Sequence, residues 1–243
     1  MSQFDRRDFL RQGTRGLGVL GVGSLLLGNT AAPTEASGPV DEAEVFLADA
    51  GNAVSKPVSI PPARVPADLK PTEDNILGPY FRQGSPYRAK ITPPMEPGEV
   101  LVVRGRVWAH DTKRPLAGAV LDIWQANAKG RYDNDDPKNP PRKGVYLNRA
   151  RLVADESGYY EYETVKPGRY QIGRNQWRPA HIHYLVRSPG YQTLVTQMYF
   201  KGDPMNSKDR FIKRTLITDA TAIKTEHGSY WLDTFDIVLA KKG

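Results

Sequence analysis

The 243-residue chain contains no cysteine. Without thiolates it can form neither disulfides nor iron–sulfur clusters, and zinc sites built on cysteine are excluded as well. Any metal site must therefore use nitrogen and oxygen ligands. The absence of cysteine does not identify a compartment, because an exported protein need not contain disulfides.

Long hydrophobic runs and clustered basic residues are also missing. The apolar stretch 16–27 is rich in glycine and too short for a stable membrane-spanning helix. Lys and Arg never occur in runs longer than two, as in Lys241-Lys242, so we do not expect nucleic-acid binding. The formal net charge of +7 instead favours anionic aromatic substrates.

The N-terminal segment has the order of features typical of a twin-arginine export signal. Arg6-Arg7 precedes the apolar stretch, and the small residues Thr30-Ala31-Ala32 follow it. We expect residues 1–32 to be removed, so that a mature chain of charge +5 resides in the periplasm or outside the cell without stable membrane insertion. The alternative is that this segment remains as an uncleaved membrane anchor.

The rest of the chain divides into a linker and one domain. Residues 33–75 are rich in Pro, Ala and acidic residues without periodicity, which indicates a linker or an extended arm. Residues 76–243 contain short β segments separated by turn signals, which predict an all-β antiparallel β-sandwich with long loops. The predicted strands are Val100–Trp108, Ala119–Asn127, Tyr159–Thr164, His181–Arg187, Leu194–Phe200 and Thr234–Leu239. One short helix is predicted at residues 211–216.

Two of the four histidines are separated by one residue, in His181-Ile182-His183. On a strand, residues i and i+2 point to the same face, so both imidazoles could bind one metal ion. Tyr132 and Tyr170 could add phenolate ligands, which suit a hard ion such as Fe(III). Spacing alone leaves the alternatives open: hydrogen-bonded histidines on a half-buried strand, and ordinary packed tyrosines.

A polar stretch follows Tyr132 and contains Asp133, Asp135 and Asp136. It lacks the central Gly and the terminal Glu of an EF-hand, so calcium binding is not expected. We interpret it as a solvent-facing loop. His110 and His227, the remaining histidines, are expected to be surface residues.

Several motifs together carry a family resemblance. In order they are Leu77-Gly78-Pro79-Tyr80, Gly105-Arg106-Val107, Pro115-Leu116-Ala117-Gly118-Ala119, Asp122-Ile123-Trp124-Gln125-Ala126-Asn127, Gly130-Arg131-Tyr132, Lys166-Pro167-Gly168, Trp177-Arg178-Pro179-Ala180-His181-Ile182-His183 and Gln197-Met198-Tyr199-Phe200. With them the chain resembles the intradiol ring-cleavage dioxygenases, most closely the protocatechuate 3,4-dioxygenase branch. The resemblance extends over roughly residues 76–239.

This resemblance implies an immunoglobulin-like or transthyretin-like sandwich and a specific metal site. It implies a non-haem Fe(III) ion bound by Tyr132, Tyr170, His181 and His183. The implied partners are a catechol-type aromatic and O2, and a homo-oligomer is a further expectation. Both oxygen atoms are inserted between the two hydroxylated carbons, which gives a cis,cis-muconate-type dicarboxylic acid. Tyr170 is implied to leave the iron as substrate chelates it.

Four further residues complete the predicted pocket. Arg178 is the expected catalytic cation, which stabilises negative charge on the activated ring. Tyr80 and Gln197 are expected to contact substrate or oxygen species. Ile172 is a departure, because protocatechuate enzymes typically carry an aromatic there; a wider pocket leaves catechol, hydroxyquinol and bulkier catechols open as substrates.

Two alternatives from other functional classes remain. The sandwich could be a non-catalytic binding module that has lost its iron, although it retains all four ligand types and Arg178. His181 and His183 could instead bind copper or zinc. Colour distinguishes these hypotheses, because tyrosinate–Fe(III) charge transfer makes a protein burgundy, whereas zinc gives no colour.

Overall fold

The computed structural model describes residues 62, 65–66, 69–226 and 228–243. The predicted export signal, most of the linker and His227 lie outside these residues. The chain divides into two units, Met1–Pro62 and Ala63–Gly243, and all elements named below belong to the second. No helix in the described ranges has the length and apolar character needed to cross a membrane.

The second unit is built almost entirely from β-strands. In chain order they are β1 (Val100–Ala109), β2 (Val120–Gln125), β3 (Arg149–Val153), β4 (Tyr159–Val165), β5 (Tyr170–Gly173), β6 (Gln176–Arg178), β7 (His181–Arg187), β8 (Leu194–Phe200), β9 (Ile217–Thr218), β10 (Thr221–Thr225), β11 (Gly228–Thr234) and β12 (Ile237–Leu239). The predicted helix is reduced to a single 3-10 turn, Arg214–Leu216.

β1 is the central strand of the first sheet. It pairs antiparallel with β4, while β11 pairs parallel with its first half and β12 parallel with its second half. Between β11 and β12 the chain passes over Gly105, where a Cβ would lie 2.1 Å from the carbonyl oxygen of Phe235. Only glycine permits this close approach. The single strand predicted for Thr234–Leu239 is therefore wrong, since Phe235 and Asp236 form the crossing.

The second sheet has the strand order β3-β2-β7-β8-β9, and β5 and β6 form a separate two-stranded ribbon. The sandwich predicted from the sequence is confirmed, and most strand pairs are antiparallel. Three described pairs are parallel, namely β1–β11, β1–β12 and β8–β9. Strands β3, β5, β6, β9, β10 and, apart from Thr234, β11 were not predicted, because most of them are short and lack a regular apolar alternation.

The core between the sheets is continuous and apolar. Val103 on β1, Leu121 on β2 and Ile237 on β12 are completely buried in it. β7 contributes Ile182 and Tyr184 to this core. Alternate residues of the same strand point to the outer face, where a second, smaller cluster contains Trp124, Ala126, Tyr132, Tyr170 and Leu185. The outer face of β7 is therefore also covered, and the candidate site lies there.

Candidate metal centre

The histidine pair on β7 is buried, with 2% of His181 and 1% of His183 exposed. Their Nε2 atoms lie 3.1 Å apart. The Nδ1 of His181 lies 2.7 Å from the carbonyl oxygen of Pro179. Because a carbonyl oxygen can only accept, Nδ1 donates the hydrogen bond and the Nε2 lone pair faces His183.

Both imidazoles are neutral at physiological pH. Burial lowers the pKa of His181 to about 3, and the charge of Arg178 adds to the decrease. Burial also lowers the pKa of His183 well below its ordinary value, with further contributions from His181 and Arg178. Neutral imidazole is the form that binds metal ions.

Two tyrosines approach the histidine pair from outside the sheet. Tyr132 lies with its Oη 3.1 Å from the Nε2 of His183. Tyr170, at the start of β5, has its ring centroid 5.3 Å from that of Tyr132 and 5.5 Å from that of His181. The segment before Tyr132 can approach the segment before Tyr170 only because residue 130 is glycine. A Cβ on Gly130 would lie 2.0 Å from the carbonyl oxygen of Arg169. The structure thus brings all four predicted ligands together.

The tyrosines lie in surroundings that disfavour ionisation in the absence of a cation. Burial raises the pKa of Tyr132 well above its ordinary value, and Tyr170 adds to the increase. Burial likewise raises the pKa of Tyr170, although the charge of Arg178 opposes it. A metal cation would supply the charge that phenolate needs. The described residues contain no cluster of three or more His, Asp or Glu side chains.

Arg178 lies beside Tyr170 and is 2% exposed. Its Nε donates to Asp209 Oδ2 at 2.9 Å, and its Nη2 donates to Gln197 Oε1 at 2.8 Å and to Tyr199 Oη at 2.9 Å. Its Nη1 points towards Tyr170 Oη at 3.5 Å. Three partners therefore hold the guanidinium in one orientation, with its remaining edge directed at the candidate ligand.

Gln197 links Arg178 to the segment that covers the histidines. Its Nε2 donates to the carbonyl oxygen of Ile76 at 2.8 Å. Gly78 follows with a φ of 74°, and a Cβ on it would lie 3.2 Å from Cε1 of His183. Any side chain at this position would therefore press on the imidazole. This segment therefore lies against His183.

Of the predicted pocket residues, Tyr80 and Gln197 lie within the cluster, whereas Ile172 lies further out. Tyr80 stacks on Tyr132 with ring centroids 4.2 Å apart. Ile172 lies two residues beyond Tyr170 on β5 and is 51% exposed. The exposed surface residue predicted at His110 is confirmed, while His227 lies outside the described residues.

The interpretation of Asp133 as part of a solvated loop is wrong. Its side chain is only 1% exposed and accepts from Arg149 Nε at 2.7 Å and from Arg82 Nη1 at 2.6 Å. Asp135 and Asp136 do lie on the surface side of the loop, each partly exposed. Because Asp133 directly follows Tyr132, its two ion pairs anchor the candidate ligand. The sequence could not predict this role, because Asp133 stands among other acidic residues and its two arginine partners lie elsewhere in the chain.

Three other residues of the site could not be identified as such from the sequence. Trp124 on β2 stacks on His183 with ring centroids 4.8 Å apart and planes 10° apart. These two residues are direct register partners in the β2–β7 pair. Asp209 and Tyr199 hold Arg178, as described above. Trp124 and Tyr199 belong to motifs that carry the family resemblance, so the sequence marked their positions but not their contacts. Asp209 lies in a loop and belongs to no motif.

Comparisons with known proteins agree with this geometry. A family model described as "Dioxygenase" matches residues 76–241. The chain is 34% identical over 190 residues to chlorocatechol 1,2-dioxygenase of Rhodococcus opacus, covering 69% of this chain and 72% of the relative. It is 35% identical over 183 residues to the protocatechuate 3,4-dioxygenase beta chain of Burkholderia cepacia, covering 71% and 73%. The crystal structure of 3-chlorocatechol 1,2-dioxygenase from Rhodococcus opacus 1CP superposes with a TM-score of 0.64 at 30% identity, covering 70% of this chain and 73% of the other.

Proposed function

We propose, given that the chain belongs to the intradiol ring-cleavage dioxygenase family, that it cleaves a catechol-type substrate with O2 at a non-haem Fe(III) ion held by Tyr132, Tyr170, His181 and His183. Both oxygen atoms enter between the two hydroxylated carbons, and the product is a cis,cis-muconate-type dicarboxylic acid. The alternatives of a non-catalytic module and of a copper or zinc site are not favoured by this family membership.

The observation that carries the proposal is the convergence of the donor atoms. The Nε2 of His183 lies 3.1 Å from both the Nε2 of His181 and the Oη of Tyr132. Donor atoms that each lie about 2.1 Å from one ion are roughly 2.9–3.4 Å apart. Two neutral imidazoles and two phenolates also offer a hard, anionic donor set that balances most of the charge of Fe(III).

Bound Fe(III) supplies Lewis acidity towards the two adjacent phenolic oxygens of a catechol. The protein's own part begins with Tyr170, which we propose as the ligand that yields its position to substrate. Its Oη has Arg178 beside it at 3.5 Å, so a nearby cation stabilises the phenolate during exchange. As a phenolate, Tyr170 would accept a proton from a substrate hydroxyl.

Arg178 is proposed as the electrostatic catalyst. Its orientation is set in advance by Asp209, Gln197 and Tyr199, so it needs no reorganisation when negative charge develops on the ring. A cation that is 2% exposed acts through a weakly screening environment. Its Nη1 lies 3.5 Å from Tyr170 Oη, which supports a role beside the proposed substrate ring.

Tyr80, Gln197 and Ile172 are proposed as residues of the substrate pocket. Tyr80 covers Tyr132 by stacking and offers a ring edge 5.8 Å from the Tyr170 ring centroid. Gln197 has its side-chain groups engaged with Arg178 and Ile76, and it acts by holding the oxygen-binding region in shape. Ile172, half exposed, leaves the outer rim without an aromatic wall and admits catechols larger than protocatechuate.

Metal and product analysis test the proposal. The purified protein should contain stoichiometric iron, show a visible tyrosinate charge-transfer band, and consume one O2 per catechol with formation of the ring-opened diacid. Iron chelation should remove the band and the activity together. A protein that contains zinc or copper instead of iron, or an iron protein that consumes no O2 with any of a panel of catechols, contradicts the proposal.

Export through the twin-arginine pathway is a separate proposal, supported by Arg6-Arg7 and the glycine-rich stretch after them. Replacing both arginines by lysine should leave the precursor in the cytoplasm. Cell fractionation measures this, with the unaltered chain as the control. Unchanged export of the double variant rejects the pathway.

A further inference from the structure

A cleft of about 600 Å³ lies on the far side of the wall that carries the candidate ligands. The residues lining it include Lys166, Arg169, Trp177, Phe200, Lys201 and Met205. Several are chain neighbours of site residues: Arg169 precedes Tyr170, Trp177 precedes Arg178, and Phe200 follows Tyr199. Since successive residues of an extended chain point to opposite sides, the cleft and the metal centre share one wall but no lining side chain.

The ammonium group of Lys166 is held in the cleft by contacts with two aromatic rings. It lies 4.7 Å from the ring centroid of Trp231 and 5.7 Å from that of Phe200. Cation–π contacts of this kind orient an ammonium group while leaving N–H donors available. Among the described residues, Lys166 forms no ion pair with a carboxylate. Lys166 is therefore a positioned cation without a direct ion pair, although its charge also acts on the buried carboxylate of Asp233.

Arg169 offers a second set of donors. Its Nε donates to both carboxylate oxygens of Asp203, at 3.0 and 3.1 Å. Within the described part of the chain, its two terminal nitrogens have no hydrogen-bond partner. Asp203 is already saturated, because it also accepts from the backbone N–H groups of Ala180 and Met205. The lining thus contains three cations and one carboxylate, but Lys201 forms an ion pair with Asp219 outside the lining. Lys166 and Arg169 are therefore the cations placed to bind an anion.

An apolar surface lies beside these donors. Trp177 is 46% exposed on the β5–β6 ribbon, which leaves part of its indole surface free for stacking. Phe200 and Met205 complete this side of the cleft. The cleft volume falls within the range of roughly 300–1,000 Å³ usual for small-molecule sites. Cations next to an open aromatic face match a ligand that has a ring and an anionic group.

We propose that this cleft is a second binding site, for an aromatic carboxylate. The ring stacks on Trp177, and the carboxylate accepts hydrogen bonds from Lys166 and Arg169. The site needs no vicinal hydroxyl groups and no iron, so it is independent of ring cleavage. Because the cleft is open and its charges are screened by salt, binding weakens as ionic strength rises.

The test uses 4-methoxybenzoate, which lacks the adjacent hydroxyls of a catechol. Calorimetric titration of the full-length protein, with and without iron, should show saturable binding of equal affinity in both forms. Acetate should bind at least about tenfold more weakly, since it lacks the ring that stacks on Trp177. The visible band of the iron-loaded protein should not change, because the ligand does not reach the metal.

Variants locate the site. Lys166→Met should weaken binding by about tenfold or more, because a charged hydrogen bond is lost, while Lys166→Arg should retain it. Lys224→Met, which removes an exposed lysine on β10, is the matched control and should bind normally. Trp177→Leu should also weaken binding, which keeps the test decisive should Lys166→Met fold poorly.

Four results overturn the proposal: no saturable binding at millimolar 4-methoxybenzoate, equal binding of acetate, unchanged affinity in both Lys166→Met and Trp177→Leu, or binding that requires iron. The last result would place the ligand at the metal centre. Because binding to the iron-free protein is measured directly, failure of this proposal is distinguishable from failure of the proposed oxygenase function.

Discussion

The two faces of β7 are equally buried but chemically opposite. Ile182 and Tyr184 point into the core between the sheets and are 0% exposed. His181 and His183, on the outer face, are 2% and 1% exposed. The strand therefore combines two environments, and burial alone does not distinguish them.

The difference lies in how each face is stabilised. Burying an aliphatic side chain such as Ile182 contributes about 1.5–3 kcal/mol without any specific partner. The outer face instead buries polar atoms with incomplete partners: within the described residues, Nδ1 of His183 has no hydrogen-bond partner. Burying polar groups in this way costs free energy. The outer face is thus organised for binding, at some expense of stability, whereas the inner face provides the fold.

The largest expected effect comes from removing a ligand from the outer face. His183→Ala should abolish iron retention, the visible band and O2 uptake, because one of only two nitrogen donors is lost. His181→Ala should behave in the same way. The far-ultraviolet circular dichroism spectrum should remain that of a β-sandwich, since the inner face is unchanged. Stoichiometric iron and colour in either variant would show that the ligand assignment is wrong.

A substitution of Asp133 tests whether its ion pairs stabilise the outer face. Asp133→Ala should destabilise the protein by about 3–5 kcal/mol, because it leaves the buried Arg149 without its carboxylate partner. Denaturant unfolding measures the change, and iron occupancy should fall as well, since Tyr132 loses its anchor. Asp136→Ala, at a partly exposed position of the same loop, is the control. Equal stability of the two variants would contradict the anchoring role.

A substitution of Arg178 distinguishes a catalytic role of this residue from a structural one. Arg178→Lys keeps the charge but loses the planar fork, so turnover should fall on the order of 100-fold. Iron content and the spectral shift on catechol binding should persist, because Arg178 is not a proposed ligand. Near-normal turnover would reject the catalytic role. A destabilised, iron-poor protein would indicate that Arg178 is mainly structural.

The smallest effect is expected on the inner face. Ile182→Val removes one methylene from the core and should lower the free energy of unfolding by about 0.5–1.5 kcal/mol. Iron content and turnover should be unchanged, although Ile182 lies between the two histidines in sequence. Thermal unfolding and O2 uptake check both statements. Loss of iron in this variant would show that the two faces are not independent.

Regular, local features of the molecule could be predicted from the sequence. The aliphatic and aromatic residues of His181–Arg187 predicted a strand. Both imidazoles were then expected on one side, because side-chain direction in a strand has a period of two. The parallel pairing of β11 and β12 with β1 could not be predicted in this way. It depends on the chain crossing at Gly105, a contact between residues far apart in sequence.

The sequence by itself determined the histidine pair and, through its motifs, the four candidate ligands and Arg178. Only the tertiary structure decided what surrounds them: Asp209 on Arg178, Asp133 between two arginines, and Trp124 stacked on His183. The physical reason is range. Neighbouring residues obey the geometry of the strand that contains them, whereas each supporting contact joins segments whose approach is set by the packing of the whole sandwich.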